Sequence, residues 1–335
     1  MRFATCDSPP SEKTGKRVAI IGAGPGGLTV AGILICKGHQ VDVYDMHPEP
    51  GGMLIFGIPD IRMPKGAILR GIEKLRQLGV RFICGRRVGV DIDFDEILEK
   101  YDAVVIATGA WEDIRLEMEG SDAEGVYYAL DFLERVAKIN RGYLGRDKMP
   151  RIGKKVVVIG GGDTAMDVAI VSKSMGADVL VAYRRTKEYM PAKRHEVEMA
   201  EKMGVSFRFL LSPRRIIIKD GRVVGVEFDR MKLGEPDSSG RPRPISTGET
   251  YTIECDTVIF AIGERVTLPF DDPSRYGIEV DRKNRIIVDE NYMTTRRGVF
   301  AVGDVVTGPK DIASAIRAAR IAAEAIDRFL GGRLR

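Results

Sequence analysis

Cysteine is scarce in this sequence of 335 residues, and the four cysteines that it has are scattered. No two of them form a Cys-x-x-Cys pair or show the spacing of a metal site, so we expect no bound metal. Cys6 stands in a polar lead that prolines and a glycine interrupt. We therefore predict that residues 1 to 16 are flexible and that Cys6 is incidental.

Long apolar runs and a strong charge imbalance are missing as well. No segment reaches the length of a membrane span, and the start of the chain lacks the apolar core of a signal peptide. The 52 basic and 48 acidic residues leave a net charge of +4, which is too small to indicate a nucleic-acid-binding surface. We expect a cytoplasmic protein of two domains, with neither a membrane nor nucleic acid as partner.

Amide side chains are rare, with three Asn and two Gln beside 52 Lys and Arg and 48 Asp and Glu. This bias is typical of proteins from hot environments, where heat deamidates amides, so the sequence predicts a thermophilic source. We expect an apparent Tm above about 60 °C, which calorimetry can check against the range that is ordinary for mesophile domains.

What the sequence has is a glycine-rich turn between a predicted strand and a predicted helix. Residues 18 to 21 are apolar, and Gly22, Gly24 and Gly27 then fit Gly-x-Gly-x-x-Gly. The first glycine permits a tight turn, the second leaves room for a pyrophosphate at the helix N-terminus, and the third allows close packing of the helix. A second strand, over residues 39 to 45, ends in Asp45, where an acid can bind a ribose hydroxyl.

The same pattern occurs a second time, 138 residues later (160 minus 22), at Gly160, Gly162 and Ala165. The residue 23 positions after the first glycine is Asp45 in the first unit and Tyr183 in the second, where it ends a strand over residues 178 to 183 and is followed by Arg184 and Arg185. Guanidinium groups bind the 2′-phosphate of NADP, which a carboxylate would repel. The second unit is therefore predicted to select NADP.

The other segments complete two similar halves. Buried strands over residues 101 to 110 and 257 to 263 each end in a small turn, at Thr108 and Gly109 and at Gly263. Helices are predicted over residues 67 to 78, 127 to 139, 196 to 204 and 311 to 330. Strands are predicted over residues 80 to 90, 205 to 211, 215 to 219 and 223 to 228. Residues 46 to 65 are predicted to be a loop, and residues 232 to 249 an exposed hairpin tip.

These motifs together resemble the flavin-containing small subunit of glutamate synthase, in the two-dinucleotide-domain flavoprotein superfamily that includes thioredoxin reductase. The resemblance covers residues 16 to 330 and is most specific in the segments 48 to 59, 160 to 167, 183 to 185 and 190 to 192. It implies an α/β fold of two Rossmann-like domains. The FAD domain is discontinuous, at residues 16–115 and 266–335, and the NADPH domain is inserted at residues 116–265.

The resemblance also implies the chemistry and the cofactors, FAD and NADPH. Hydride would pass from NADPH to flavin N5, and electrons would then leave to an iron–sulfur or other acceptor protein. Gly303 and Asp304 would bind the phosphate and ribityl region of the flavin, and Asp311, Ile312 and Ala313 would lie against its pyrimidine edge. This chemistry needs positioning rather than acid–base side chains, so no catalytic residue and no metal ligand is nominated.

The candidate cofactor-binding residues lie at the glycine turns, at strand ends and at the start of the last helix. They are Gly22, Gly24, Pro25, Gly27, Asp45, Gly52, Met53, Thr108, Gly109, Gly160, Gly162, Asp163, Thr164, Ala165, Arg184, Arg185, Gly263, Gly303, Asp304, Asp311, Ile312 and Ala313. The three histidines, His39, His47 and His195, are interpreted as surface or packing residues.

Departures from the family leave alternatives open. The chain has a short lead in place of a cysteine-rich iron–sulfur domain, no redox cysteine pair and no amidotransferase machinery. Ser314 and Ala319 stand where relatives often have Glu and Gly. The expected partners are NADPH and an acceptor protein or large iron–sulfur subunit, with self-association left open. The alternatives are a free-standing reductase of ferredoxin, quinone, polysulfide or oxygen, and a non-catalytic flavin and nucleotide sensor.

Overall fold

The structure is a computed structural model, and it describes residues 1–8, 10–237 and 240–331. Its strands, in chain order, are β1 (Arg17–Ile21), β2 (Gln40–Asp45), β3 (Arg81–Cys84), β4 (Ala103–Ile106), β5 (Glu112–Asp113), β6 (Val126–Tyr128), β7 (Lys155–Ile159), β8 (Asp178–Tyr183), β9 (Ser206–Phe209), β10 (Leu211–Lys219), β11 (Arg222–Pro236), β12 (Pro242–Glu254), β13 (Thr257–Phe260), β14 (Glu264–Arg265) and β15 (Val299–Ala301). Its α-helices are α1 (Pro25–Cys36), α2 (Met53–Phe56), α3 (Gly66–Gln77), α4 (Phe94–Lys100), α5 (Ala129–Asn140), α6 (Asp163–Ser174), α7 (Arg194–Lys202), α8 (Asp304–Thr307) and α9 (Ile312–Leu330).

The first compact unit comprises residues 1–56, 63–112 and the chain from residue 264 onward. Its sheet has the order β15-β4-β1-β2-β3, and every neighbouring pair is parallel. The apolar residues of β1 are buried, as expected for a central strand of a parallel sheet. In register, Ile20 lies between Val43 of β2 and Val105 of β4. Helices α1 and α9 pack against each other in this unit.

The second unit comprises residues 57–62 and 113–263. Its five-stranded parallel sheet has the order β6-β13-β7-β8-β9, so β7 and β8 take the places that β1 and β2 take in the first unit. A separate antiparallel sheet, β10-β11-β12, belongs to the same unit. The predicted α/β class, with two similar units of which the first is discontinuous, is confirmed.

The boundaries between the two compact units lie between residues 112 and 113 and between residues 263 and 264. The sequence predicted these boundaries after residue 115 and after residue 265. The structure also places residues 57–62 with the second unit. The reason is an ion cluster in which Arg62 pairs with Asp167 and Glu196, each at 2.7 Å. All three side chains are largely buried, so the segment is held by charges far away in the sequence.

The N-terminal lead is anchored to the first unit at Phe3 and Cys6, which contradicts the prediction of a flexible segment, although residues 11–15 are exposed. Phe3 is buried, and its carbonyl oxygen lies so close to Gly32 of α1 that a side chain at Gly32 would collide with it. Cys6 forms a disulfide with Cys36, the last residue of α1, and is therefore not incidental. Pro9, which belongs to this segment, lies outside the described residues.

The predicted exposed hairpin over residues 232 to 249 is present as the β11–β12 hairpin, but its turn is shorter than predicted. Strand β11 runs to Pro236 and β12 begins at Pro242, so the turn spans only residues 237 to 241, of which 238 and 239 lie outside the described residues. Cross-strand pairing, such as that of Lys232 with Ile245, extends the hairpin through residues of low strand propensity. No helix within the described part of the chain is long and apolar enough to cross a bilayer.

Candidate dinucleotide sites

The first glycine turn leaves the start of α1 open. Gly22 follows β1 with φ at 109°, and a side chain there would collide with the carbonyl oxygen of Ala107. A side chain at Gly27 would collide with the carbonyl oxygen of Gly22. Gly24, which caps α1, has no atom within 4 Å of the place where a Cβ would stand. No side chain in the described part of the chain accepts from the backbone N–H groups in the first turn of α1, so these groups can face an anion.

Asp45 ties the end of β2 to this turn. The residue is buried, and its Oδ2 accepts a hydrogen bond from the backbone N–H of Ala23 at 2.6 Å. Its Oδ1 accepts a second bond from the backbone N–H of His47 at 2.8 Å. A carboxylate has about four lone-pair positions, so the same oxygens can also accept from a ribose hydroxyl. That contact stays a proposal.

A cleft in the first unit brings three of the predicted residues together, and others that were not predicted join them. The predicted ones are Gly22, Asp45 and Thr108. The others include His47, Arg86, Arg87, Trp111 and Thr267. The cleft is partly open to solvent, and its volume of about 390 Å³ includes some of that solvent.

The unpredicted residues could be found only in part from the sequence. His47 is buried in a stack with Phe56 and Trp111, at ring-centroid distances of 4.5 and 4.3 Å, so it packs as interpreted but does so at the cleft. Arg86 and Arg87 follow β3, and the carboxyl ends of parallel strands form the ligand edge of such sheets. The sequence predicted a strand over residues 80 to 90, which placed both arginines inside the strand. Because β3 ends at Cys84, they in fact lie beyond its carboxyl end.

The predicted turn at Thr108 and Gly109 joins the two parts of the first unit. The Thr108 hydroxyl donates to the carbonyl oxygen of Thr267, whose N–H donates to the carbonyl oxygen of Gly109 at 3.0 Å. Gly52 also lies at the glycine turn, since a Cβ on Gly52 would stand 2.8 Å from the Cα of Gly24. Met53 begins α2, directly after it.

Asp304 sits at the start of α8, after Gly303, and is largely buried. Burial raises the pKa of this carboxyl to about 6, and the negative charges of Glu264 and Asp311 add to the rise. A bond from the backbone N–H of Lys310, at 3.1 Å, opposes it. Near neutral pH, Asp304 can therefore either accept or donate a hydrogen bond.

Asp311 caps α9, because its Oδ1 accepts from the backbone N–H of Ser314 at 2.8 Å. Ile312 and Ala313 stand in the first turn of α9. The positive end of the helix dipole is at this terminus, which suits the negative charge of a reduced flavin. A contact of these residues with flavin stays a proposal.

The second glycine turn has the same local geometry. Gly160 follows β7 with φ at 150°, and a side chain there would collide with the carbonyl oxygen of Ala261. Gly162 caps α6 and resembles Gly24, because a Cβ added there would have no atom within 4 Å. Asp163 begins α6 and accepts from the backbone N–H of Lys193 at 2.9 Å. Thr164 and the buried Ala165 follow in the first turn of α6, and Gly263 has φ at 122°.

The two arginines after β8 differ sharply. Arg184 is exposed and forms no hydrogen bond or ion pair within the described chain. Arg185 is 2% exposed, and its guanidinium is bound by the tip of the β11–β12 hairpin. Its Nε donates to the carbonyl oxygen of Pro242, and another guanidinium nitrogen donates to Asp237, both at 2.7 Å. The structure thus separates two residues to which the sequence assigned one role.

Comparison with known proteins then decides the family. The family model described as pyridine nucleotide-disulphide oxidoreductase matches residues 16–319. The chain belongs to the pyridine nucleotide-disulphide oxidoreductase family. This membership confirms the resemblance to glutamate synthase small chains and the prediction of an oxidoreductase that uses a pyridine nucleotide.

Similar members of the family are longer than this chain. It is 40% identical to the glutamate synthase [NADPH] small chain of Escherichia coli, over 95% of this chain and 70% of that one. It is 40% identical to the NADP(+)-dependent formate dehydrogenase subunit beta of Moorella thermoacetica, over 95% of this chain and 44% of that one. It is 37% identical to the NADPH-Fe(3+) oxidoreductase subunit beta of Geobacter sulfurreducens, over 98% and 52%.

Solved structures show the same fold at lower identity. FprA of Mycobacterium tuberculosis in complex with NADPH matches with a TM-score of 0.79 and 21% identity, over 96% of this chain and 87% of that one. The thioredoxin reductase of T. acidophilum matches with a TM-score of 0.70 and 22% identity, over 95% and 99%. These matches support the two-unit fold.

The name of the family includes disulphide chemistry, but the free cysteines in the described part of this chain do not form a reactive thiol pair. Burial raises the thiol pKa values of the free cysteines Cys84 and Cys255 to about 12, so both are protonated at neutral pH. Cys36 lies at the far end of α1, about 16 Å from the glycine turn at 1.5 Å per residue. The Cys6–Cys36 disulfide is therefore far from the open end of α1.

Proposed function

We propose that this chain oxidises NADPH by means of FAD and delivers the electrons to a separate acceptor protein. One observation carries the proposal. Each unit has an open approach to a helix N-terminus without a side-chain cap, at Gly24 and at Gly162, but the second strand ends in an acid in one unit and is followed by arginines in the other. This difference supports FAD in the first unit and NADPH in the second.

The first unit fits FAD. The open end of α1 suits a pyrophosphate, and Asp45 at the edge of the cleft suits a ribose. Asp304, whose carboxyl has a pKa of about 6, suits the hydroxyl groups of a ribityl chain because it can act as donor or acceptor. Bound FAD would supply the chemistry that accepts a hydride. The start of α9 would stabilise the negative charge that follows.

The second unit fits NADPH. The open end of α6 suits the pyrophosphate, and the exposed guanidinium of Arg184 suits the 2′-phosphate. In this proposal the residues of the chain position two cofactors and supply no acid or base.

A separate acceptor is favoured by the inert thiols and by the relatives. Three relatives are named as a small chain or a subunit beta, that is, as parts of larger assemblies. We propose that this chain likewise feeds a partner subunit, an iron–sulfur protein by preference. A free-standing reductase of a small acceptor is the second candidate.

The test of hydride transfer is an anaerobic visible spectrum of the purified chain, recorded before and after NADPH and then with NADH. We expect a flavin spectrum that NADPH bleaches faster than NADH. Tight binding of NADPH without bleaching would contradict the proposal and would favour the sensor.

The test of the acceptor uses the reduced chain and stopped-flow reoxidation. We expect slow reoxidation by quinone, polysulfide and oxygen, fast reoxidation by a ferredoxin-type iron–sulfur protein, and a stable complex on pull-down from the source cell. Fast turnover of a small acceptor by the pure chain would support the free-standing reductase instead.

A further inference from the structure

The tip of the β11–β12 hairpin is bound to the strand end where the 2′-phosphate of NADPH is expected. Arg185 directly follows Arg184, and it holds the tip through Asp237 and through the carbonyl oxygen of Pro242. The tip is closed by a bond from the N–H of Asp237 to the carbonyl oxygen of Arg241, at 2.8 Å. Arg241 therefore stands beside the residue whose carbonyl Arg185 binds.

This arrangement gathers positive charge at the end of β8. Three arginines, at positions 184, 185 and 241, and the carboxylate of Asp237 lie close enough for their charges to interact, and Asp237 accepts a hydrogen bond from Arg185. Partial desolvation of the guanidinium of Arg184, whose side chain as a whole is exposed, lowers its pKa, and the positive charges of Arg185 and Arg241 lower it further, whereas the charge of Asp237 acts in the opposite direction. Like charges repel, so a cluster with this excess is stabilised by a multiply charged anion.

Arg185 itself is a poor candidate for the phosphate ligand. Its side chain is 2% exposed, and its Nε and one terminal nitrogen already donate to the hairpin. Replacing these bonds with bonds to a phosphate would leave Asp237 and the carbonyl oxygen of Pro242 without the donors that they now have. Arg241 is only partly buried, so water can replace the bonds that its side chain exchanges for a phosphate.

We propose that Arg241 is a ligand of the NADPH 2′-phosphate together with Arg184, and that Arg185 is the positioning residue that holds the hairpin tip in place. The inference rests on the proposed function, since it takes NADPH as the nucleotide of the second unit. It adds a segment 57 residues beyond Arg184 (241 minus 184) to a site that the sequence placed wholly at the end of β8.

The test compares two probes, adenosine 2′,5′-bisphosphate and adenosine 5′-monophosphate, by calorimetric titration of the flavin-loaded chain. Arg241→Gln should weaken binding of the bisphosphate about tenfold, as expected for one charge-assisted bond, and leave the monophosphate unchanged. The matched control is Arg243→Gln, an exposed arginine on the same hairpin, which should change neither affinity. Unchanged bisphosphate binding in Arg241→Gln would overturn the inference.

Asp237→Asn tests the positioning role. It keeps the size of the side chain but removes the charge that holds Arg185, so bisphosphate affinity should fall while monophosphate affinity stays. A general loss of structure would lower both affinities, and a rise in bisphosphate affinity would show that Asp237 competes with the phosphate; either result overturns the positioning role. Equal binding of the two probes by the unaltered chain would instead overturn the use of NADPH in the proposed function.

Discussion

The two parallel sheets have the same strand order but differ in what their second strands lead to. In the first unit, β2 ends in Asp45, whose carboxylate accepts hydrogen bonds from two backbone N–H groups. One belongs to His47, two residues further along the chain, and the other to Ala23 in the adjoining glycine turn. In the second unit, β8 leads to Arg184 and to Arg185, which binds a hairpin tip more than fifty residues away. The first strand end is organised locally, and the second depends on a distant segment.

In the proposed function, this difference lets one fold serve two nucleotides. The glycine turns are alike in their open space and in the steric reason for the first glycine, as expected if both admit a pyrophosphate. We propose that the residues at the end of the second strand carry the selectivity, because charge of one sign or the other would meet the ribose there. Changes confined to one unit, with its counterpart left intact, test this comparison.

The largest effect is expected from Gly24→Leu and its counterpart Gly162→Leu. Neither position has an atom within 4 Å of a Cβ, and neither has a positive φ, so both variants should fold. Gly24→Leu should purify without flavin colour, because the side chain fills the pyrophosphate position. Gly162→Leu should stay yellow but resist bleaching by NADPH, as absorbance spectra would show. A yellow Gly24→Leu protein would contradict the assignment of the first unit.

The next largest effect is expected from removing the disulfide. Within the described residues, the first unit has a disulfide and the second has none. Replacing both Cys6 and Cys36 with Ser should lower the free energy of unfolding by about 2–4 kcal/mol, because the unfolded chain loses a covalent loop. Denaturant unfolding measures the change, and a reducing agent should lower the stability of the natural chain but not of the variant. Finding four reactive thiols in the denatured, unreduced chain, rather than two, would show that the disulfide does not form.

A smaller effect is expected from Asp304→Asn in the FAD-free protein, and it depends on pH. Burial raises the folded-state pKa from 3.8 to about 6, so ionisation of Asp304 above pH 6 costs up to about 3 kcal/mol of stability. The variant should therefore be more stable than the natural chain at pH 8, and the gain should shrink as pH falls through 6 and vanish below about pH 4. Urea unfolding at several pH values checks this, with the exposed Asp271→Asn as the control that should show no gain.

The smallest effect is expected from Arg184→Gln. The KM for NADPH should rise about tenfold and the KM for NADH should stay, because the exposed guanidinium meets only the 2′-phosphate. Arg208→Gln, on the neighbouring strand β9, is the control. Equal changes in both KM values would remove the argument for selectivity at this strand end.

Local sequence was enough to predict the elements around both turns. The strand, the glycines and the helix of each unit are adjacent in the chain, and their steric requirements restrict the residues at each position. Asp45 lies 23 residues after the first glycine of its unit, and Arg184 and Arg185 directly follow the residue at the same distance in the other unit, Tyr183. The roles of these residues as cofactor ligands remain predictions.

Sequence reasoning failed where partners are distant. Prolines and a glycine in the lead predict a flexible segment, yet packing against Gly32 and a bond to Cys36 hold it. Gly, Pro and Ser disfavour strands and predict a tip across residues 232 to 249, yet pairing between β11 and β12 limits the turn of this exposed hairpin to residues 237 to 241.

The sequence by itself determined two nucleotide-binding units, their order and the charge at each strand end, because these depend on residues that are neighbours along the chain. Only the tertiary structure decided that Arg185 is buried by a hairpin while Arg184 is open, and that residues 57–62 join the second unit through Arg62. The physical reason is that burial and ion pairing depend on contacts between side chains that are distant in sequence, and a local pattern of residue types does not specify these contacts.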